Sequence, residues 1–329
     1  MKTFVLTDIH GCCQELNLLL DRLPIEKDSR FIFLGDYIDR GPDSKGVIDT
    51  ILKLEKDYEV ISLMGNHEEL FLDFLHNNKS PGGAMFVLGG GTATLESYSE
   101  NKNDHFHIPK EHFDFFKKLK LFYEDEYYFF VHAGVPNLPL NELDIIQHKE
   151  AFLWIRSPFL NNNRKWEKMI IHGHTPNYEV EKKDNRINLD TACVFKGKLT
   201  ALELPAKKYY SVDKLPVEYT VDLTNPALRK RSLRFKSEIP IHILTEDNLY
   251  QFVTSNFSET GMLIRDCVHN EKVLFKNGEI IRGKTGDIEH QTLHFAGKVV
   301  RNFKDQQGVH FAIEFTQPPE PYSLRNGKK

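Results

Sequence analysis

Across about the first 200 positions of this chain, nearly every apolar run stops at a histidine or a carboxylate. The runs TFVL, RFIFL, VISLM, YYFFV and MIIH are followed by Asp8 and His10 in TDIHG, Asp36 in GDYIDRG, Asn66 and His67 in GNHE, His132 in HAG and His174 in HGHT; a sixth run, INL, leads into Asp190. Between the runs, CCQELNLLLDRL sets Leu16, Leu19, Leu20 and Leu23 at helical spacing, and SKGVIDTILKL does so with Val47, Ile48, Ile51 and Leu52. Strands alternating with amphipathic helices specify an α/β layered domain. Such sheets open their binding crevice beyond the strand carboxyl ends, so the polar clusters are expected to converge there.

The residue types in those clusters are metal ligands. Imidazole and carboxylate without thiolate suit borderline to hard divalent ions, manganese first, with iron or zinc as alternatives, and a set this large points to two ions. Two ions about 3.5–4 Å apart hold phosphate oxygens and activate a water near neutral pH. One carboxylate must then bridge them. Asp36, in a short turn after RFIFLG, is the natural bridge between an ion on Asp8 and His10 and an ion on Asn66, His132 and His174. His67 is left to protonate the leaving oxygen, with Asp39 to hydrogen-bond it, and Arg40 and Arg156 to hold phosphate oxygens.

The motifs TDIHG, GDYIDRG, GNHE, HAG and HGHT, in this order, resemble the phosphoprotein phosphatase group of the calcineurin-like metallophosphoesterases. FVLGGGTATLESY and INLDTACVFKGKLTALEL resemble the bacterial branch of that group. The resemblance implies a two-layer β core flanked by helices, a dinuclear centre and direct attack of metal-bound water without a phosphoenzyme. It implies the same roles: Asp8, His10 and Asp36 on one ion, Asp36, Asn66, His132 and His174 on the other, His67 with Asp39 as the acid pair, and Arg40 and Arg156 on phosphate. Serine or threonine phosphoproteins are the leading substrates. A nucleotide hydrolase, for example one splitting dinucleoside tetraphosphates, is the alternative within the same fold, and a signalling adaptor with a silent catalytic fold is the alternative from another functional class. Two positions depart from the family pattern: Thr7 stands where glycine is usual before the aspartate, and DTA, ending at Ala192, where DTG is common.

Other polar residues receive structural readings. His172 is expected to pack or support the site, and Asn188 and Asp190 to orient neighbours. His105, His107 and His112 fall in a polar insert and are expected to be solvated. Gly89, Gly90 and Gly91 are expected to shape a lip of the cleft, where backbone approaches substrate. Cys12, Cys13, Cys193 and Cys267 match no metal-binding spacing.

At 329 residues the chain is long enough for two domains. The domain with the motifs is expected over 1–205, a proline-bearing connector over 206–228, a second domain over 229–318 and a loose tail over 319–329. In the second domain, short alternating runs separated by turn residues, with Asn277-Gly278 as a hairpin turn, predict a small antiparallel β-barrel. LRKRSLRFK places four basic residues, Arg229, Lys230, Arg231 and Arg234, before that barrel, and NFSETG follows about twenty residues later.

These two stretches, with FAGKVVRNF and GVHFAIEF, resemble the PilZ domain, which binds cyclic dimeric GMP. The resemblance implies ligand contacts from Lys230, Arg231, Arg234, Asn256, Ser258 and Gly261. Arginine forks pair phosphates and guanine edges, and small residues admit the ring to the backbone. The family's first arginine is Lys230 here, which leaves weaker binding or replacement by Arg231 as the alternatives. A net charge of −4 argues against a nucleic-acid polymer as partner. With no secretory pattern at MKTFVLTDIHG and no membrane-length apolar run, the chain is expected to be cytoplasmic.

Overall fold

The computed structural model describes residues 1–78, 80–99, 106–216, 240–244, 249–258, 261–266, 275–285, 293–305, 308–316 and 320–321. In the N-terminal part the strands are β1 (Thr3–Leu6), β2 (Arg30–Phe33), β3 (Glu59–Ser62), β4 (Phe122–Glu124), β5 (Tyr128–Val131), β6 (Met169–His172), β7 (Glu181–Lys182), β8 (Arg186–Asn188), β9 (Lys198–Leu204) and β10 (Lys208–Asp213). The helices are α1 (Cys13–Arg22), α2 (Ser44–Leu54), α3 (Asn66–His76), α4 (Pro81–Phe86), α5 (Thr92–Ser97), α6 (Lys110–Lys118), α7 (Lys149–Trp154) and α8 (Ser157–Leu160).

Two mixed sheets, ordered β10-β9-β1-β2-β3 and β4-β5-β6-β8-β7, form the two-layer core. Their inner faces meet through Val5, Ile32 and Ile61 of one sheet and Phe130, Ile171 and Ile187 of the other, all buried together. Each such side chain contributes about 1.5–3 kcal/mol. Strand alternation sends the neighbours outward: Phe129, Val131 and Ile170 pack with Phe152 and Phe159 of α7 and α8. The predicted helix faces are the buried ones, with Leu16 and Leu19 of α1 and Val47, Ile48 and Ile51 of α2 fully enclosed.

The connector expected from residue 206 begins instead with β10, which pairs antiparallel with β9 from Lys208 opposite Glu203 to Asp213 opposite Lys198. Lys214 Nζ then reaches the buried Glu15 at 2.6 Å, and Leu215 N donates to the same carboxylate at 3.0 Å. The prolines suggested a linker, but KYYSVD alternates and carries β-prone residues that the sheet edge accepts.

By compactness the chain divides into Met1–Glu69 with Ala93–Pro216, and Leu70–Thr92 with Val217–Lys329. Within Leu70–Thr92, Phe86 packs at ring distances of 5.2 Å from Phe71 and 4.8 Å from Phe74. Of the glycines expected to shape a lip of the cleft, Gly90 and Gly91 each meet a local structural demand. Residues Val87–Gly91 form one wide helical turn, Gly90 takes φ +103°, and a Cβ on Gly91 would lie 2.5 Å from the Phe86 ring.

The C-terminal strands are β11 (Pro240–Leu244), β12 (Leu249–Ser258), β13 (Gly261–Asp266), β14 (Ile280–Thr285), β15 (Leu293–Asp305), β16 (Gly308–Phe315) and β17 (Glu320–Pro321). The order β14-β11-β12-β13-β16-β15 closes through β14–β15, giving a six-stranded antiparallel barrel. Closure leaves no open edge among these strands. Ile241, Phe252, Phe257, Ile264, Phe295 and Phe311 fill it. Asn277-Gly278 sits in a turn closed by Glu279 N donating to Lys276 O at 3.0 Å. The tail region contributes β17, paired with Leu293 and His294 of β15.

Candidate active site

Asp8 and His10 follow β1, Asp36 follows β2, Asn66 and His67 open α3 after β3, His132 follows β5, and His174 follows β6. These are carboxyl ends of the parallel strands, and the loops there are laced together. Asp8 N donates to Gly35 O at 3.1 Å, His10 N to Asp36 O at 2.9 Å, and Gly11 N to Tyr37 O at 2.8 Å. The residues that must aim side chains inward take left-handed backbone: Asp8 (φ 49°), His10 (46°), Asp36 (55°), Asp39 (74°), Arg40 (69°) and His174 (66°). Such conformations cost non-glycine residues on the order of 1 kcal/mol or more each and persist only where surrounding contacts impose them.

Two groups of ligand atoms share one carboxylate. His10, Asp36 and His67 form the first, and Asp36, His132 and His174 the second. His10 Nε2 lies 3.5 Å from Asp36 Oδ2, and His132 Nε2 lies 3.4 Å from Asp36 Oδ1. Asn66 Oδ1 completes the second group, 3.0 Å from His132 Nε2 and 2.9 Å from His174 Nδ1. His67 stands in the first group where Asp8 was expected. The Asp8 carboxylate instead accepts from Thr7 Oγ1 at 2.6 Å and from His174 N at 3.0 Å, so the threonine that replaces the usual glycine orients the aspartate.

The tautomers explain why a cation fits. His10 Nδ1 faces Ile38 O at 2.8 Å and His132 Nδ1 faces Leu34 O at 3.0 Å. A carbonyl only accepts, so each Nδ1 carries its proton and each Nε2 keeps its lone pair as an acceptor. Burial holds His132 neutral, with its pKa down at about 4, and pushes His10 and His174 well below the ordinary histidine value. Thus His132 Nε2, Asn66 Oδ1 and Asp36 Oδ1 crowd together as acceptors, a repulsive arrangement that a cation relieves. Burial likewise raises Asp36 to about 7, against the pull of Arg40, and Asp8 to about 6, against that of His132. The donor set, histidine nitrogens with carboxylate and amide oxygens, fits divalent ions.

Beside these groups, His67 Nδ1 meets Asp39 Oδ2 at 2.6 Å, both side chains buried. Arg40 Nη1 lies 2.5 Å from His10 Nε2, and its guanidinium covers the Phe195 ring at 5.2 Å. Arg156 lies within electrostatic reach of Asp36, Asp8 and Arg40. Burial first, then Arg40, lowers its pKa to about 10, and its Nε is buried without a hydrogen-bond partner among the described residues.

Two supporting residues were not singled out from the sequence. Glu68, the last letter of GNHE, is fully buried and accepts from Gly65 N, Asp36 N and Tyr37 N, each at 2.9 Å. Thr94, inside GGGTATLESY, binds Asp39 by both backbone and side chain. Glu68 was visible as a motif letter. Thr94 carried no signal apart from its glycine-rich surroundings.

His172 is enclosed, 3.0 Å from Gly173 O and edge-on to Phe159, a packing role. Asn188 donates to Thr175 O at 2.7 Å and accepts from Asp190 N at 3.0 Å, while Asp190 accepts from Ala192 N at 3.0 Å. Ala192 takes φ 58°, which accounts for the glycine common at that place. His112 corrects its expected exposure. It is buried between Tyr98 Oη at 2.8 Å and Asp49 Oδ1 at 3.0 Å, because α6 turns its apolar face, Phe115 and Phe116, inward. His107 is exposed, and His105 lies outside the described residues.

Of the barrel residues expected to bind ligand, Asn256, Ser258 and Gly261 lie in the β12–β13 hairpin, where Ser258 pairs with Gly261 and the register shifts between Thr254 and Asn256. A Cβ on Gly261 would meet Ile313 O at 2.2 Å, so neighbouring backbone already requires glycine there. Lys230, Arg231 and Arg234 lie outside the described residues, as does Cys267. No described helix is long and apolar enough to cross a membrane.

Comparison with known proteins gives two family matches: calcineurin-like phosphoesterase over residues 1–212 and PilZ domain over residues 228–325. A bis(5'-nucleosyl)-tetraphosphatase (asymmetrical), PrpE, of Oceanobacillus iheyensis is 30% identical over 236 residues, covering 64% of this chain and 92% of that protein. A protein of the same name from Anoxybacillus flavithermus is 29% identical over 236 residues, covering 63% and 92%. A solved structure described provisionally as a diadenosine tetraphosphatase is 21% identical, covers 65% of this chain and 94% of its own, and superposes with a TM-score of 0.49.

Proposed function

Because this chain belongs to the calcineurin-like phosphoesterases and ends in a PilZ domain, we propose that it is a two-metal phosphoric ester hydrolase that takes cyclic dimeric GMP as a second ligand. The observation that carries the hydrolase reading is Asp36, shared by two groups of ligand atoms. His10 and Asp36, joined by Asp8, would hold one divalent ion, and Asp36, Asn66, His132 and His174 the other, with manganese the first choice for an oxygen- and imidazole-bearing set. Bound there, the ions supply Lewis acidity toward phosphoryl oxygens and lower the pKa of water. Arg40 and Arg156 orient and neutralise the phosphoryl group, and His67, held by Asp39, delivers a proton to the leaving oxygen from Nε2.

Two substrate classes differ in how much they need that proton. The relatives named bis(5'-nucleosyl)-tetraphosphatase support dinucleoside polyphosphates, whose leaving group is itself a stable phosphate anion. The buried His67–Asp39 pair favours serine or threonine phosphoproteins, whose alkoxide leaves only when protonated. Manganese-loaded protein assayed on diadenosine tetraphosphate and phosphoserine and phosphothreonine peptides, with and without cyclic dimeric GMP, separates them. Faster turnover of the dinucleotide than of every peptide removes the protein-phosphatase reading, and no turnover of either removes the hydrolase.

Binding of cyclic dimeric GMP is supported by the PilZ match and by Asn256, Ser258 and Gly261 on one hairpin. Calorimetry should show saturable binding that Arg234→Ala or Ser258→Ala weakens; no heat at high ligand defeats it. The domain limits follow the same reading, with the phosphoesterase over 1–205 extended by β10, and the PilZ-like barrel over 229–318. A cytoplasmic site of action is proposed on the nature of this ligand.

A further inference from the structure

The structure assigns Thr94 as the positioning residue of the His67–Asp39 acid pair, clamping the carboxylate from the side opposite the histidine. The inference rests on the reading of His67 as proton donor. Thr94 is fully buried. Its Oγ1 donates to Asp39 Oδ1 at 2.6 Å, accepts from Asp39 N at 2.8 Å, and lies 2.9 Å from Ser44 Oγ. A hydroxyl has one proton and two acceptor positions. With the proton committed to Asp39 Oδ1, Ser44 must be the donor to Thr94, and the hydroxyl is saturated. Ser44 Oγ also accepts from Asp39 N at 3.1 Å, so the same small network holds Asp39 twice.

Asp39 needs this support. Its backbone lies in the left-handed region at φ 74°, and its two oxygens must be divided, Oδ1 to the threonine and Oδ2 to His67 Nδ1 at 2.6 Å. Without Thr94 the carboxylate is free to rotate, and both the tilt of the imidazole and the direction of Nε2 loosen. Asp39 stabilises the charged imidazole through Nδ1–H, so His67 carries a proton to deliver only while that bond is held, and delivers it only while Nε2 is aimed; Thr94 therefore acts through Asp39 rather than on the substrate. In sequence the pieces are far apart: Thr94 follows Asp39 by 55 residues. It lies two residues past Thr92, where the segment that begins at Leu70, three residues after His67, ends.

Leaving-group dependence tests this, because a proton donor matters for an alkoxide and little for p-nitrophenolate. In the full-length, manganese-loaded protein, Thr94→Val should lower kcat on a phosphoserine peptide by roughly 10- to 100-fold, and on p-nitrophenyl phosphate by less than about 3-fold, with KM unchanged. Thr94→Ser should restore both, and Ser44→Ala should show the same graded loss at smaller size. A second readout needs no turnover: in metal-free protein the low-field Nδ1 proton of His67, assigned by its absence in His67→Asn, should broaden or shift upfield in Thr94→Val and return in Thr94→Ser. His67→Asn serves as reference on both substrates. If its loss is graded while that of Thr94→Val is flat or absent, the assignment of Thr94 is overturned. If His67→Asn itself loses equally on both, the acid reading falls first.

Discussion

The strand-end loops of the phosphoesterase and the β12–β13 hairpin of the barrel both carry short polar motifs, and they are built in opposite ways. In the loops, Asp8, His10, Asp36, Asp39, Arg40 and His174 all take left-handed backbone, backbone bonds tie the Asp8–His10 loop to the Asp36 loop, and neutral imidazoles lie against one carboxylate. In the hairpin, Asn256, Ser258 and Gly261 occupy paired strand positions with a register shift, and the glycine is already required by Ile313 O. The first site is assembled by closure over long sequence distances and its geometry is stored in strain. The second is local, and its described part is ordinary sheet. A motif match therefore means different things in the two places: in the loops nearly every letter has a chemical partner, whereas in the hairpin part of the match is explained by folding.

The largest expected effect breaks the first site. His67→Asn should lower kcat on a poor leaving group by about 10²–10⁴-fold, read by phosphate release, while the barrel still binds cyclic dimeric GMP by calorimetry. Loss of both would end the contrast between a long-range site and a local one.

The next concerns protons. Folding raises the Asp36 pKa to about 7 and the Asp8 pKa to about 6, while His132 stays neutral down to about 4. Metal must displace protons from the two carboxyls, so affinity is low in acid and rises with pH. Between about pH 5 and 6 both carboxyls are protonated and manganese affinity should gain roughly 100-fold per pH unit, flattening above about pH 7. Titration calorimetry in buffers of different ionisation enthalpy measures the released protons directly, and a flat profile from pH 5 to 8 would refute the assigned ligands.

Smaller effects separate scaffold from ligand chemistry. Glu68→Ala strands three buried N–H groups and should cost at least about 2 kcal/mol of stability, read by denaturant unfolding of metal-free protein. Gly261→Ala should cost about 1–3 kcal/mol through the clash with β16, whether or not ligand is present. Smallest is Asn256→Ala, on a half-buried strand position, which should leave the barrel folded by thermal unfolding and weaken cyclic dimeric GMP a few-fold. If Asn256→Ala unfolds the barrel instead, the hairpin is scaffold throughout.

The legible part of the fold was the periodic part. Leu16, Leu19, Val47, Ile48 and Ile51 repeat at helical spacing and are buried, and the alternating runs became strands, because burial of one face imposes its period on any sequence that folds this way. KYYSVD falls in a stretch whose three prolines suggest a connector, although its own alternation fits the edge of a sheet. The polar sequence neighbours of His112 point to solvent, whereas Tyr98 and Asp49, distant in sequence, satisfy it inside.

By itself the sequence determined which side chains are candidates for the chemistry: Asp8, His10, Asp36, Asn66, His67, His132 and His174 all stand at strand ends. Tertiary structure alone decided how they are held: that Ile38 and Leu34 carbonyls fix the tautomers of His10 and His132, that Thr7 orients Asp8, that Glu68 ties the Asp36 loop to the start of α3, and that Thr94 holds Asp39 against His67. The reason is physical. Ligand identity is a property of one residue and survives in a string of letters, but protonation, aim and strain are set by neighbours that only folding brings within 3 Å.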